Sequence, residues 1–248
     1  MSTSGTSAFT LNLNEIVEEA FERAGGQLRS GYDLRTARRS LNLLFADWAN
    51  RGINLWTVEQ GSFVLTPGLM TYPLPVDTVD LLEHVIRTQA NNSATQADLT
   101  ITRISVSTYA TIPNKNATGR PIQVWVNRQS GATYPSGGRP AGTNSTTGVD
   151  HPQIYVWPAP DQSSYYTFVY WRMRRIQDAG ENGLVTQDIP FRFLNCMIAG
   201  LAYYLSMKIA PDRMEALKLQ YDEQWKYASE EDRDKAAVRF VPRRYFIE

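Results

Sequence analysis

Residues 32–51 read Y-D-L-R-T-A-R-R-S-L-N-L-L-F-A-D-W-A-N-R. Leu34, Ala37, Leu41, Leu44, Phe45 and Trp48 recur at steps of three and four, which puts them on one apolar stripe of a helix. Arg35, Arg38, Arg39, Asn42 and Asn50 take the opposite face. Ser30 or Asp33 can cap the start, and Arg51-Gly52 supplies a cationic last turn followed by a glycine. A stripe this rich needs a partner of equal size. The next hundred residues offer none, but the C-terminal third does. The expected class is therefore α+β: a helical bundle built from N- and C-terminal helices with an inserted antiparallel β domain. Its bounds are 1–53 with 186–235 for the bundle, 54–185 for the β-rich insertion and 236–248 for an extended C-terminal arm.

The rest of the N-terminal region fits this plan. A helix is predicted over Leu13–Ala24, where Asn12 and Glu15 form an Asx variant of the capping box, Leu13, Ile16, Val17, Ala20 and Phe21 form the stripe, and Gly25-Gly26 ends it. After Gly52 the period changes. Trp56 to Leu65 leads to the Pro67-Gly68 turn, and L-M-T-Y-P-L-P, with two prolines, suits an edge strand. Val79–Thr88 is strand-like with some helical ambiguity. Leu99–Ile104 reads as one short strand, Ser105–Tyr109 as a serine-capped helical turn, and residues 122–128 as an alternating strand. Residues 129–152 are rich in Gly, Ser, Thr and Pro, too long for an ordinary connection. Ile154–Trp157 resumes a strand, and aromatic, β-branched Tyr165–Met173 is the strongest strand of the chain.

The last third is helical again. Asp188 is expected to cap a helix with Pro190 in its first turn. Phe191, Leu194, Ile198, Leu201 and Leu205 form one stripe, while Phe193, Met197, Gly200 and Tyr204 form a second. This helix is the central one. Pro211-Asp212 breaks it and caps a fourth, with Met214, Leu217, Tyr221, Trp225 and Ala228 inward.

Composition narrows the function. Across 248 residues, 25 Lys and Arg balance 25 Asp and Glu, so the formal net charge is zero. Gripping nucleic acid through its phosphates calls for a basic excess. Strong DNA binding is disfavoured, and passing contact with DNA stays open. One cysteine, Cys196, forms no internal disulfide and points to a reducing compartment; it reads as a small buried hydrophobe. The N-terminus has no basic or apolar leader, and no apolar run reaches membrane-spanning length. A soluble protein made in the cytoplasm, with no membrane partner, is expected.

Catalytic patterns are missing. His84 and His151 have no second ligand at metal spacing. Nucleophile-elbow, phosphate-loop and dinucleotide signatures are absent, and Gly137-Gly138-Arg139-Pro140-Ala141-Gly142 does not join a strand to a helix. No enzyme activity, cofactor or metal is expected. Two features remain. The basic face of Arg35, Arg38 and Arg39 is a solvated surface or a subunit contact, with DNA contact as the third reading. In the tail, Arg239, Arg243 and Arg244 alternate with Phe240, Val241, Tyr245, Phe246 and Ile247 around Pro242. Exposed aromatics cost about 25 cal/mol per Å², so the tail either packs back on its own domain or docks into a partner.

Four stretches carry a resemblance: L-N-L-L-F-A-D-W-A-N-R-G-I-N-L-W at 41–56, G-S-F-V-L-T-P-G-L-M-T-Y-P-L-P-V-D-T-V-D-L at 61–81, S-T-Y-A-T-I-P-N-K-N-A-T-G-R-P at 107–121 and I-Y-V-W-P-A-P-D at 154–161. In this order, over most of residues 13–225, the chain resembles the head-to-tail adaptors (connector or head completion proteins) of tailed bacteriophages, particularly short-tailed ones. That resemblance implies a structural virion protein at the portal vertex. It would form a dodecameric ring that joins the portal protein to a tail tube or nozzle protein, extends the DNA channel and serves viral DNA ejection. It also implies that the arm, Arg239, Phe240, Val241, Pro242, Arg243, Arg244, Tyr245 and Phe246, reaches the portal. The alternatives are a tail-tube or tail-hub ring component, or a receptor- or carbohydrate-binding module using Trp125, Tyr134, Tyr155, Trp157 and Tyr166. Packing in a β core is the preferred reading of those aromatics.

Overall fold

Helix formation begins where Asn12 Oδ1 accepts a hydrogen bond from Glu15 N at 3.0 Å and Glu15 Oε2 accepts one from Asn12 N at 2.8 Å. This reciprocal cap opens α1 (Leu13–Ala24), and Gly25, left-handed at φ 84°, closes it. The computed structural model describes residues 3–52, 55–90, 92, 94–128, 152–180 and 184–233. Among these, the further helices are α2 (Gly31–Asn50), α3 (Val106–Ala110), α4 (Phe191–Ile209) and α5 (Met214–Glu231). The strands are β1 (Val58–Val64), β2 (Thr71–Pro73), β3 (Thr78–Thr88), β4 (Ala97–Thr100), β5 (Thr102–Ile104), β6 (Gln123–Asn127), β7 (Gln153–Trp157) and β8 (Tyr166–Arg174). With five helices and two sheets among the described residues, the fold is mixed and compatible with α+β. The chain separates into two units, one made of the segments up to Leu55 and from Ile176 onward, the other Trp56–Arg175.

In the first unit α2 behaves as its stripe dictates. Ser30 and Asp33 cap each other reciprocally, and Ala37, Leu41, Leu44, Phe45 and Trp48 are buried. Helices α1, α2 and α5 all contact α4, which is buried over most of its circumference from Phe193 to Ser206. Three expectations about α4 and α5 are corrected. Pro190 is itself the N-terminal boundary residue of α4 and offers no side-chain cap, while Asp188 Oδ2 accepts from Gln177 N at 3.3 Å. A capping side chain must stand directly before the first helical residue; Asp188 is set too far back. Likewise Pro211–Arg213 forms a 3-10 turn, so Asp212 caps nothing and α5 starts at Met214. Phe191, assigned to the inward stripe, is 74% exposed, because it opens the helix before α4 meets its neighbours.

Gly200 is where α4 lets both neighbours approach. A Cβ there would lie 2.8 Å from Leu44 Cδ2 and 2.9 Å from Tyr221 Cε2. Crowding a packed core costs about 1–3 kcal/mol, while replacing a helical glycine by alanine returns about 1 kcal/mol. Gly200→Ala is therefore expected to lower stability by about 1 kcal/mol, read as a shift in urea midpoint at unchanged slope.

The second unit holds two sheets. The first has the order β1-β8-β3-β4, antiparallel throughout, with β8 paired along its length to both β1 and β3. The second has the order β2-β7-β6-β5. Its β5–β6 pair is parallel, which corrects the expectation of a wholly antiparallel domain. The cause is the crossover through α3, which returns the chain in the same direction. Leu99–Ile104 is likewise two strands in different sheets. Ile101, buried between them, turns the chain from one sheet to the other while its side chain stays in the core they share. The register of β3 on β8 slips between Thr78 and Asp80 and again between Leu81 and Glu83, so its burial pattern loses strict alternation. That is the source of its helical ambiguity.

Charged chemistry in the first sheet centres on Arg172 of β8. Its guanidinium, 9% exposed as a residue, donates to Asp77 Oδ1 at 2.6 Å, Thr78 Oγ1 at 3.0 Å and Glu59 Oε2 at 2.8 Å. Arg174 shares Glu59, with Nε 2.7 Å from its Oε1. These hydrogen bonds from Arg172 are the first cause holding the Asp77 carboxyl below its usual range.

Candidate functional site

The first unit is organised around an aromatic knot. Trp48 is fully buried, with ring centroids 5.3 Å from Trp225, 5.6 Å from Phe193 and 6.0 Å from Phe45. Its Nε1 donates to the Tyr221 hydroxyl at 2.9 Å, and that hydroxyl lies 3.4 Å from Asp47 Oδ2. Arg51 closes the arrangement. One guanidinium nitrogen is 2.7 Å from Asp47, and Cζ stands 4.8 Å from the Trp225 ring and 5.1 Å from that of Tyr221. Burial pushes the Tyr221 hydroxyl well above the ordinary tyrosine range, so it stays protonated. The network is a structural clasp between α2 and α5.

Cys196 is buried nearby, and burial pushes its thiol up to about 12. It is a packing residue, as the sequence suggests, since the thiolate is the reactive form. His84 stacks on Phe168 at 5.9 Å, and burial followed by the charge of Arg103 lowers its pKa, leaving an uncharged ring. Among the described residues no three of His, Cys, Asp and Glu gather as a metal site, and no helix is long and apolar enough to cross a membrane.

On the outer face of α2, Arg35 and Arg39 are exposed and Arg38 is half-buried. The structure adds a residue that α2 alone does not announce. Lys208, from the last turn of α4, donates to Ser40 Oγ at 2.6 Å. Its pKa is lowered first by burial and then by the charge of Arg39. The basic face thus spans two helices. Asn42, placed on the wet face by periodicity, instead accepts from Ala179 N at 2.7 Å and pins the chain where it re-enters the first unit. An asparagine in a polar row carries no mark of that distant contact.

The aromatic β residues need a correction. Tyr166 is in the core, but Trp125 and Tyr155 point to the opposite face of the second sheet, because Val124, Val126, Ile154 and Val156 take the inward positions. Trp125 and Tyr155 stack at 4.6 Å, Tyr109 of α3 covers Trp125 at 5.3 Å, and Lys115 Nζ lies 5.6 Å from the Tyr109 ring. Trp157 donates through Nε1 to Asn114 O at 2.9 Å. Tyr134, His151 and the loop at 129–151 lie outside the described residues, as do Arg239, Phe240, Val241, Pro242, Arg243, Arg244, Tyr245 and Phe246 of the arm.

Comparison with known proteins completes the picture. The model of the SU10 adaptor protein family matches residues 11–243. No curated protein matches the chain. The match runs from the segment before α1 through both units and beyond α5 into the Arg239–Arg243 stretch, in agreement with the resemblance to phage head-to-tail adaptors. On that breadth of agreement, the chain belongs to the SU10 adaptor protein family, structural adaptors of the bacteriophage virion.

Proposed function

We propose that this adaptor forms a ring at the portal vertex, joining the portal to the tail and extending the DNA channel. The observation that carries the reading is the family match over residues 11–243, which leaves little of the chain for another activity. In this reading α1, α2, α4 and α5 make a bundle interrupted by the β unit, as the domain bounds 1–53 with 186–235 and 54–185 express. Twelve copies follow from the family resemblance. Arg35, Arg38 and Arg39, with Lys208 beside them, form a contact with the neighbouring copy. The arm at 236–248 reaches the portal, aromatics as anchors and arginines as pairing groups. In this reading the protein's task is mechanical rather than catalytic. Zero net charge suits a conduit, because a strongly basic lumen would retain DNA that must leave quickly. Short-tailed virions are the proposed setting, with assembly in the host cytoplasm.

The deciding measurement is the solution mass of the full chain, alone and mixed with the portal ring of its parent virus. A large stoichiometric complex with the portal is the expected result, lost when the chain stops after Lys235. No association in either state would overturn the reading. One observation favours a second: the Trp125–Tyr155 stack stands on the outer face of its sheet. Saccharide binding on a glycan array, without portal binding, would make that stack a receptor platform.

A further inference from the structure

A groove of about 640 Å³ runs between α1 and α4 in the first unit. Its floor is apolar, with Leu11, Leu194 and Ile198, and two large rings stand at its lip, Phe9 at 65% exposure and Phe191 at 74%. Rings left this open beside an apolar floor mark a surface that receives something. One wall is acidic: Glu15, Glu18, Glu19 and Glu22 all border it. Glu15 is engaged in the cap of α1, and Glu19 pairs with Arg23 at 2.8 Å. Glu18 and Glu22 are exposed and meet no cation among the described residues. The groove therefore asks for an extended segment carrying aromatic anchors and positive charge.

We propose that the occupant is the chain's own segment 239–247. R-F-V-P-R-R-Y-F-I supplies three arginines for the acidic wall, and Phe240, Val241, Tyr245, Phe246 and Ile247 for the floor. The point of departure favours the same copy over a neighbour. Asp232, just past α5, is buried and accepts hydrogen bonds from Leu55 N at 2.9 Å and from Arg192, a residue of the groove itself. Asp232, which precedes the segment, thus stands beside the groove. Residues 233–238 span up to about 20 Å when extended, whereas the wall of α1 from Glu15 to Glu22 is only about 10 Å long. The proposal draws on the arm reading only in that the same residues serve both ends. Held in the groove, the anchors are kept from water and from other copies until a better partner takes them.

The test uses the full-length chain, in which buried Cys196 stays silent and introduced cysteines report alone. Asn195→Cys, inside the groove, is combined with Glu248→Cys, which spares every anchor. Leu219→Cys, 74% exposed on α5 and outside the groove lining, with Glu248→Cys is the reference pair. Under mild oxidation the groove pair is expected to close an intrachain disulfide about tenfold faster than the reference pair, the advantage of a raised effective concentration. Adding Glu18→Lys and Glu22→Lys removes that advantage. Equal rates for the two pairs, or disulfides found only between chains, would overturn the proposal. The portal reading is separated by a second readout. A disulfide-locked chain that still binds the portal fully sinks the arm's portal role and leaves the groove assignment standing. Equal closure rates, together with portal binding lost on truncation after Lys235, sink the groove alone.

Discussion

Trp48→Ala is expected to remove about 3–5 kcal/mol of folding stability, the range for deleting a large buried aromatic. Its side chain is fully buried and touches the rings of Phe45, Phe193 and Trp225, so no single neighbour can collapse into the space it leaves. The loss is chemical as well as volumetric. Its Nε1 supplies the hydrogen bond that the Tyr221 hydroxyl accepts, and Tyr221 is itself only 1% exposed. Without that donor the hydroxyl keeps only its weak 3.4 Å approach to Asp47. Trp48→Phe restores most of the volume but not the N–H, and its expected cost is about 1–2 kcal/mol, near the worth of one unsatisfied buried group plus a small void. Urea unfolding followed by far-ultraviolet circular dichroism separates the two variants. Since whole domains are stable by only about 5–15 kcal/mol, the alanine variant is expected to be partly unfolded at 37 °C. A cost below that of the phenylalanine variant would show that the knot does not hold α2 to α5.

Arg172→Leu is expected to cost about 2–3 kcal/mol, within the range for hydrogen bonds to charged groups. Its two carboxylate partners are 41% and 45% exposed at the side chain, so water takes up part of what the arginine gave them, which keeps the loss below that of a fully buried pair. The pH dependence supplies a second signature. Asp77 has its folded pKa depressed, first by the hydrogen bonds from Arg172. A depressed acid contributes stability that is present above its unfolded value, about 3.9, and is lost as pH falls through the lower folded value. The native protein is therefore expected to lose stability steeply below about pH 4. Arg172→Leu flattens that fall, because Asp77 then titrates close to its unfolded value. Unfolding midpoints measured in urea from about pH 7 down to about pH 2.5 bracket that transition and check both statements. Parallel curves for the two proteins would count against the Arg172–Asp77 pair as their source.

What could be read from the chain follows the range of the interactions involved. The stripe from Ala37 to Trp48, the Asn12–Glu15 cap and the strand at Tyr166–Arg174 are local patterns, and the structure repeats them with small shifts of boundary. The division of Leu99–Ile104 between two sheets is set by the core around Ile101, which no run of six residues displays. The parallel pairing of β5 with β6 has the same origin, since strand direction depends on the α3 crossover rather than on composition. At the surface, Arg35, Arg38 and Arg39 are visible as a basic row, but Lys208 joins it only through the packing of α4 on α2. Asn42 reads as solvated because its partner, the Ala179 amide, is 137 positions away.

That separation has a counterpart in time. The hydrogen bond between Trp48 and Tyr221 joins residues 173 positions apart, and α4 and α5, which cover the first two helices, are synthesised only after the β unit. At about 5–20 residues per second, the ribosome needs roughly 10–35 s to deliver the second partner after the first. During that interval the β unit, Trp56–Arg175, is synthesised, while the apolar stripe of α2 has only α1 beside it and waits for α4 and α5. Nascent copies made side by side on one messenger therefore display the same sticky helix together, and the order of synthesis makes early mispairing between them the characteristic hazard of this chain.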